Sequence, residues 1–254
     1  MISPEAFYLS YMAKNTGFRA TWDPARRMKM GYIGKLDKEG FFTVYSSLEK
    51  EGIPNDTIED DSTANMDYTS RDSVSIQIKL AGSAPIAGSI LSDVDAGVVI
   101  EFGTANGIVF QTSKYKTLQL DNLATVTKLV LNKYNNGEWD KDWLIITHLV
   151  VCESATAIIS TSSSGKLELR AKAGVAAGDV KLTDASLDLQ KASDSASTMR
   201  YIAEQGATPL YRIMGIRHPF LFGRPDLQPK SFRGGDPQQE HFAIQDFDPA
   251  ELEQ

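Results

Sequence analysis

The chain has 254 residues, 42% of them hydrophobic and 23% charged, with a formal net charge of −7. That length buries a sizeable core, and that composition excludes wholesale disorder. The acidic total excludes a general nucleic-acid binder, and one cysteine excludes an intramolecular disulfide framework, which fits a reducing compartment.

The start of the chain, MISPEAFYLSYMAKNTG, lacks the basic region and continuous apolar core of a signal peptide. No uninterrupted run of about 18 apolar residues occurs, so the expectation is a soluble, cytoplasmic protein. Charge is unevenly spread. Residues 1 to 38 hold Lys14, Arg19, Arg26, Arg27, Lys29, Lys35 and Lys38 against Glu5, Asp23 and Asp37, a net of +4, and the remainder carries −11. A basic end of this kind either meets an acidic surface or pairs with the rest of its own chain.

In chain order, Ser3 and Pro4 suit the cap and first position of a short helix over residues 4 to 14. Met30, Tyr32 and Ile33 lead to a turn around Asp37 and Gly40, and residues 41 to 48 return as a strand, making a small hairpin. Residues 49 to 71 are polar and acidic and read as a surface loop. In DSVSIQIKLAG, Val74, Ile76, Ile78 and Leu80 alternate with polar residues, and AGVVIEFG and GIVFQT repeat the strand pattern. QLDNLATVTKLVLNKYNN is the best helix, with Asp121 as its cap, Leu123, Val126, Val130 and Tyr134 on one face, and Asn135 to Gly137 as its stop.

Residues 143 to 160 then run without proline, glycine or a basic group, and Glu153 is their single acid. They read as a long strand that returns through TSSSG as a second arm, KLELRAKAG, so that the two form a β-hairpin. In that second arm Leu167, Leu169 and Ala171 share one face, and Lys166, Glu168, Arg170 and Lys172 the other. GDVKLTDASLDLQ and TPLYRIMGI supply further strand patterns. From residue 217, Pro and Gly become frequent, yet Phe220, Phe222, Phe242 and Phe247 remain as apolar anchors of a tail that packs back on the body.

Catalytic chemistry finds little material. His148 and Cys152 share a strand face about 13 Å apart, beyond the reach of a nucleophile pair. No HExxH, cysteine pair, calcium loop or phosphate-binding glycine motif occurs. No cofactor, metal or catalytic residue is therefore assigned, and the chain reads as a non-enzyme.

EWDKDWLIITHLVVCESATAIISTSSSGKLELRAKAG, the preceding LDNLATVTKLVLNKY, the later TPLYRIMGI and the early MGYIGKLDKEGFFTVYSSL together resemble the pore-forming domain of gasdermins, in their short microbial form. The resemblance implies an α+β fold, a twisted and mostly antiparallel central sheet with peripheral helices, over residues 1 to 216. Residues 217 to 254 would be a regulatory or autoinhibitory tail. It further implies a protein soluble at rest that binds acidic phospholipid, oligomerises, and rebuilds residues 72 to 111 and 143 to 190 into membrane strands of a large β-barrel, killing the cell. Arg26, Arg27, Lys29 and Lys35 would contact lipid phosphate, with Tyr32 or Ile33 at the membrane interface. Activation would come from a protease or from an incompatible protein variant, as in fungal allorecognition. Bacterial members carry a lipidated cysteine near the N-terminus; Ser3 stands there here, which leans the resemblance toward fungal members. The competing expectation is a soluble β-rich interaction module without membrane activity.

Overall fold

The computed structural model describes residues 3–22, 27–60, 63–70, 74–104, 107–160, 164–171, 182–183, 190–194, 198–217 and 226–229, with the backbone alone at 192–193, 198–205, 217, 226 and 228–229. The chain divides into two compact units. Met1–Pro4, Ala64–Tyr115 and Cys152–Ala207 make the first, and Glu5–Thr63, Lys116–Val151 and Thr208–Gln254 the second. The pairings of defined register are antiparallel throughout, and with the two helices among the described residues they place the chain in the α+β class.

The second unit begins with α1 (Pro4–Thr16), which buries Tyr8, Leu9 and Met12. The helix runs two residues past its expected end because Thr16 Oγ1 donates to Met12 O at 2.6 Å, and Gly17 (φ 69°) then closes it by donating its N–H to Ala13 O. Strand β1 (Arg19–Ala20) pairs with the end of β12 (Thr198–Arg217), which also pairs with β13 (Asp226–Pro229). The expected early hairpin is present as β2 (Tyr32–Leu36) and β3 (Phe42–Ser47). Its turn is fixed by Asp37 Oδ1, which accepts the N–H groups of Glu39 and Phe41 at 2.9 Å each. β2 also pairs with the start of β9 (Leu144–Ser160) through Ile33 and Gly34.

The best sequence helix is α2 (Leu123–Asn135), which buries Val126 and Val130 against Ile33, Leu48, Ile53, Ile145 and Trp139. Its cap is Asn122 rather than Asp121, and the Asn122 side chain makes no capping bond. It faces away instead, accepting from Asp56 N and donating to Pro54 O, and so ties the helix start to the segment before β4 (Thr57–Glu59). The expected surface loop over residues 49 to 71 thus contains strand: β4 pairs with the end of β8 (Ile108–Leu120). In the first unit β5 (Ala64–Thr69) pairs with the beginning of β8. Neither strand buries a residue, and the acidic, polar stretch around them masks the short alternation of Ala64, Met66 and Tyr68 with Asn65, Asp67 and Thr69 in β5.

The first unit holds a four-stranded sheet in the order β11-β10-β7-β6, from β6 (Val74–Lys79), β7 (Gly97–Phe102), β10 (Gly165–Arg170) and β11 (Gln190–Asp194). Val98, Ile100 and Phe102 of β7 and Leu167 and Leu169 of β10 form its core with Val109, Ile158 and Leu182. The hairpin expected at TSSSG does not form: β10 pairs with β7 and β11, and β9 lies in a different sheet. β9 is also less two-sided than its composition suggests. Nearly all of its seventeen residues are buried, on both faces. Its hydroxyls are tolerated there because they are bonded. Ser154 Oγ donates to Thr183 O at 2.7 Å and Thr156 Oγ1 to Leu182 O at 2.9 Å.

Candidate membrane-binding site

The basic residues singled out in the sequence fall around the early hairpin of the second unit. Gly31 (φ 72°) precedes β2, its N–H donating to Ile146 O and its own O accepting from Leu48 N at 2.8 Å. The φ of 72° at Gly31 is a left-handed turn that favours glycine, and a Cβ there would also push on the Asn55 amide, 2.9 Å away. This turn, the outward face of β3 and the residues after it enclose a hollow of ≈ 370 Å³ lined by Lys29, Tyr32, Tyr45, Lys50, Glu49 and Asn55, among others. Lys29 and Lys50 are exposed, and Tyr45 is 61% exposed, a large aromatic surface left in water. Two cations, one anion and two tyrosines at an open hollow form a surface suited to an anionic, partly apolar ligand.

The other expected site residues fall differently. Arg27 is exposed on the approach to β2. Lys35 is half-buried and ion-paired with Asp140 at 2.6 Å. The shared hydrogen bond holds the Lys35 ammonium above its usual range and the Asp140 carboxyl below its own. Tyr32 is half-buried beside Met28 and Phe42. Ile33 is fully buried among Leu48, Ile53 and Ile145, so in this conformation it belongs to the core. Arg26, Phe220, Phe222, Phe242 and Phe247 lie outside the described residues. Tyr45 and Lys50 were missed by the sequence reading. The alternation Phe42, Val44, Ser46 against Thr43, Tyr45, Ser47 carried the signal, because it sets Tyr45 on the face opposite buried Phe42.

His148 and Cys152 have separate surroundings. Thr147 Oγ1 lies 3.2 Å from His148 Nδ1, and burial, with the Arg212 charge, holds the imidazole below its usual pKa. Cys152 Sγ donates to Ala207 O at 3.6 Å, and burial pushes the thiol up to about 12. A thiol so held is a packing group at neutral pH. Among the described residues no three of His, Cys, Asp or Glu gather as metal ligands. No helix among them is long and apolar enough to cross a membrane, which leaves strands as a separate question.

No family model matches the sequence, and no curated protein is matched. Among solved structures the chain is similar to gasdermin A3 in its membrane pore, with 11% identity, coverage of 98% of this chain and 100% of that one, and a TM-score of 0.38. It is also similar to a bacterial gasdermin from Bradyrhizobium tropiciagri, with 12% identity, 89% and 90% coverage, and a TM-score of 0.35. The α+β class rests on the antiparallel pairings themselves.

Proposed function

We propose that this chain is a membrane pore-former of gasdermin type, of the short microbial kind. In this reading it rests in the cytoplasm, is drawn to acidic phospholipid, and assembles with copies of itself into a large β-barrel at the cell membrane, ending in cell death. It acts without catalysis or cofactor. The observation that carries the reading is β9: seventeen residues of continuous strand lie inside the stretch that resembles gasdermins, against the 9–11 or so that one crossing of a bilayer takes. Buried, hydrogen-bonded hydroxyls within it suit a strand whose environment changes, since serine and threonine accept both a wet lumen and a bonded interior.

Arg26, Arg27, Lys29 and Lys35 remain the proposed lipid contacts, joined now by Lys50, with Tyr32 and Tyr45 at the interface. Lys35 contributes only after leaving Asp140, and Ile33 only after β2 has parted from β9. Residues 217 to 254 are proposed to restrain the protein. From residue 236 onward they hold Asp236, Glu240, Asp246, Asp248, Glu251 and Glu253 with no Lys or Arg, and such a segment competes with acidic lipid for the same cations. Removal by a protease, or displacement by an incompatible protein variant, would free them.

Dye release from vesicles tests this. At about 1 kcal/mol per near-surface cation, two to three contacts favour acidic over zwitterionic membranes by roughly 30- to 150-fold. Release is expected from cardiolipin or phosphoinositide vesicles and not from phosphatidylcholine, and faster for a chain ending at residue 216. Both chains staying soluble, with no release from any vesicle, would leave the β-rich interaction module as the reading.

A further inference from the structure

The charged alternate face of β10 reads in sequence as a wetted face, yet in the first unit its three side chains are engaged. The segment between β6 and β7, residues 80 to 96, folds over them. Glu168, 1% exposed, accepts the N–H of Ile90 at 2.9 Å and the hydroxyl of Ser89 at 3.1 Å, while Lys166 Nζ lies 3.0 Å from its other oxygen. Lys166 also donates to Gly88 O. Arg170 pairs with Asp95 at 3.1 Å, and Asp95 in turn accepts the N–H and hydroxyl of Ser92 at 2.8 Å each. Beneath the segment, buried Lys79 donates to Ser83 O at 3.0 Å.

Apolar burial contributes little to this attachment. Of the larger apolar side chains in the segment, Leu91 is buried, whereas Leu80, Ile90 and Val94 are 37%, 55% and 77% exposed. The segment is a strap held mainly by polar bonds, and at its middle the bonds of Ser89, Ile90 and Lys166 meet at Glu168. We infer that the strap is an internal restraint: it opens as a unit when Glu168 lets go, and that opening limits the conversion of β6 and β7 into a membrane hairpin. The second clause rests on the pore-forming reading; the first does not. Geometry supports the order of events, because β10 lies beside β7 through six consecutive residue pairs, and the strap, which leads from β6 into β7, is bonded to the side chains of β10. While it is clasped, the connection between β6 and β7 is folded back on their own sheet, so it cannot extend as a hairpin tip.

Burial pushes the Glu168 carboxyl up, but the bonds from Ile90, Lys166 and Ser89 together outweigh it and hold the group below its usual range, and the bonds from Ser92 do the same for Asp95.

Two measurements on the full chain test the inference: amide hydrogen exchange resolved over residues 80–96, and dye release from cardiolipin vesicles. In E168A, exchange at Ser89, Ile90 and Leu91 is expected to rise by about tenfold or more, the scale of losing charge-assisted bonds at a locally opening segment. Exchange in β9 should be unchanged, and release should quicken. S89A, which removes one of the contacts and spares the ion pair, should act in the same direction with a smaller effect, and it serves where E168A does not fold. Unchanged exchange in the strap of a folded variant overturns the clasp. Faster exchange with release at the wild-type rate overturns its limiting role. Faster exchange with no release from any form defeats the pore-forming reading, and the role given to the strap with it, while the clasp stands as measured.

Discussion

His148 sits half-buried on β9 with the Arg212 guanidinium as its charged neighbour, and Arg212 is itself held by Gly17 O at 3.0 Å and by the Phe18 ring 4.1 Å away. Burial first and the Arg212 charge second lower the imidazole pKa in the folded chain. The unfolded chain therefore binds the proton more readily, and stability rises with pH across this titration. Folding is unpenalised above the unfolded value of about 6.5 and weakens as pH falls from there toward the lower folded value. Between pH 7.5 and 5.5 the Tm is expected to drop by on the order of 2 °C from this group, a modest figure because the ring is part-solvated. Thermal melts of wild type and His148→Gln over that range check it, and the histidine-dependent part of the slope should vanish in the variant. A sequence shows that a histidine lies in a strand, but not that an arginine 64 positions later faces it.

At the scale of elements, the early hairpin is the part most open to a direct test. Gly34 sits at the register shift of β2 against β3, where a Cβ would stand 2.1 Å from Thr43 O and 2.7 Å from the Phe42 ring. Gly34→Ala is expected to destabilise the protein by about 1–3 kcal/mol through forced separation of the strands. A urea titration reads this, and an unchanged midpoint would mean that the hairpin yields without cost. The hairpin itself was legible because a turn sequence separates two apolar runs. Legible too were α2, whose periodicity is clean, and the inward leucines of β10. Other elements failed for identifiable reasons. β5 buries none of its residues, and its short alternation is lost in the acidic, polar stretch from residue 49 to 71. GIVFQT predicts only a short strand, yet β8 continues through Lys114 (φ 45°), where Asn65 Oδ1 accepts the Lys114 N–H at 2.9 Å. That bulge is stabilised by a residue 49 positions away, so nothing local announces it. The partners of Lys166, Glu168 and Arg170 lie some 75 to 80 positions upstream, which is why a clasped face passed for a wet one.

For the whole molecule, the decisive property is the contrast between a basic hollow and an acidic remainder. Lys29 and Lys50 are exposed, so reversing both in a Lys29→Glu, Lys50→Glu double variant should leave the fold intact while weakening sedimentation with cardiolipin vesicles by roughly tenfold or more. The difference should shrink at 0.5 M salt, where screening shortens to about 4 Å. Equal binding at low salt would remove both lysines from the lipid role. The candidate site was half legible at this scale: charge counting found the basic end, but which cations stand free of a partner depends on folding, as the engagement of Lys35 by Asp140 shows.

The pairing of β1 with β12 has a consequence for synthesis. Thr21 donates its hydroxyl to Thr208 O, 187 residues further along the chain, and Arg19 and Ala20 register with Tyr211 and Leu210. At about 5–20 residues per second, roughly 10 to 40 seconds separate the emergence of one partner from that of the other. In the last part of that interval the apolar length of β9 (Leu144–Ser160) has been made while its neighbour β12 is still incomplete. A nascent chain of this kind needs protection from premature contact with membranes and with other copies, and chaperone dependence during translation should exceed that of the finished, folded protein.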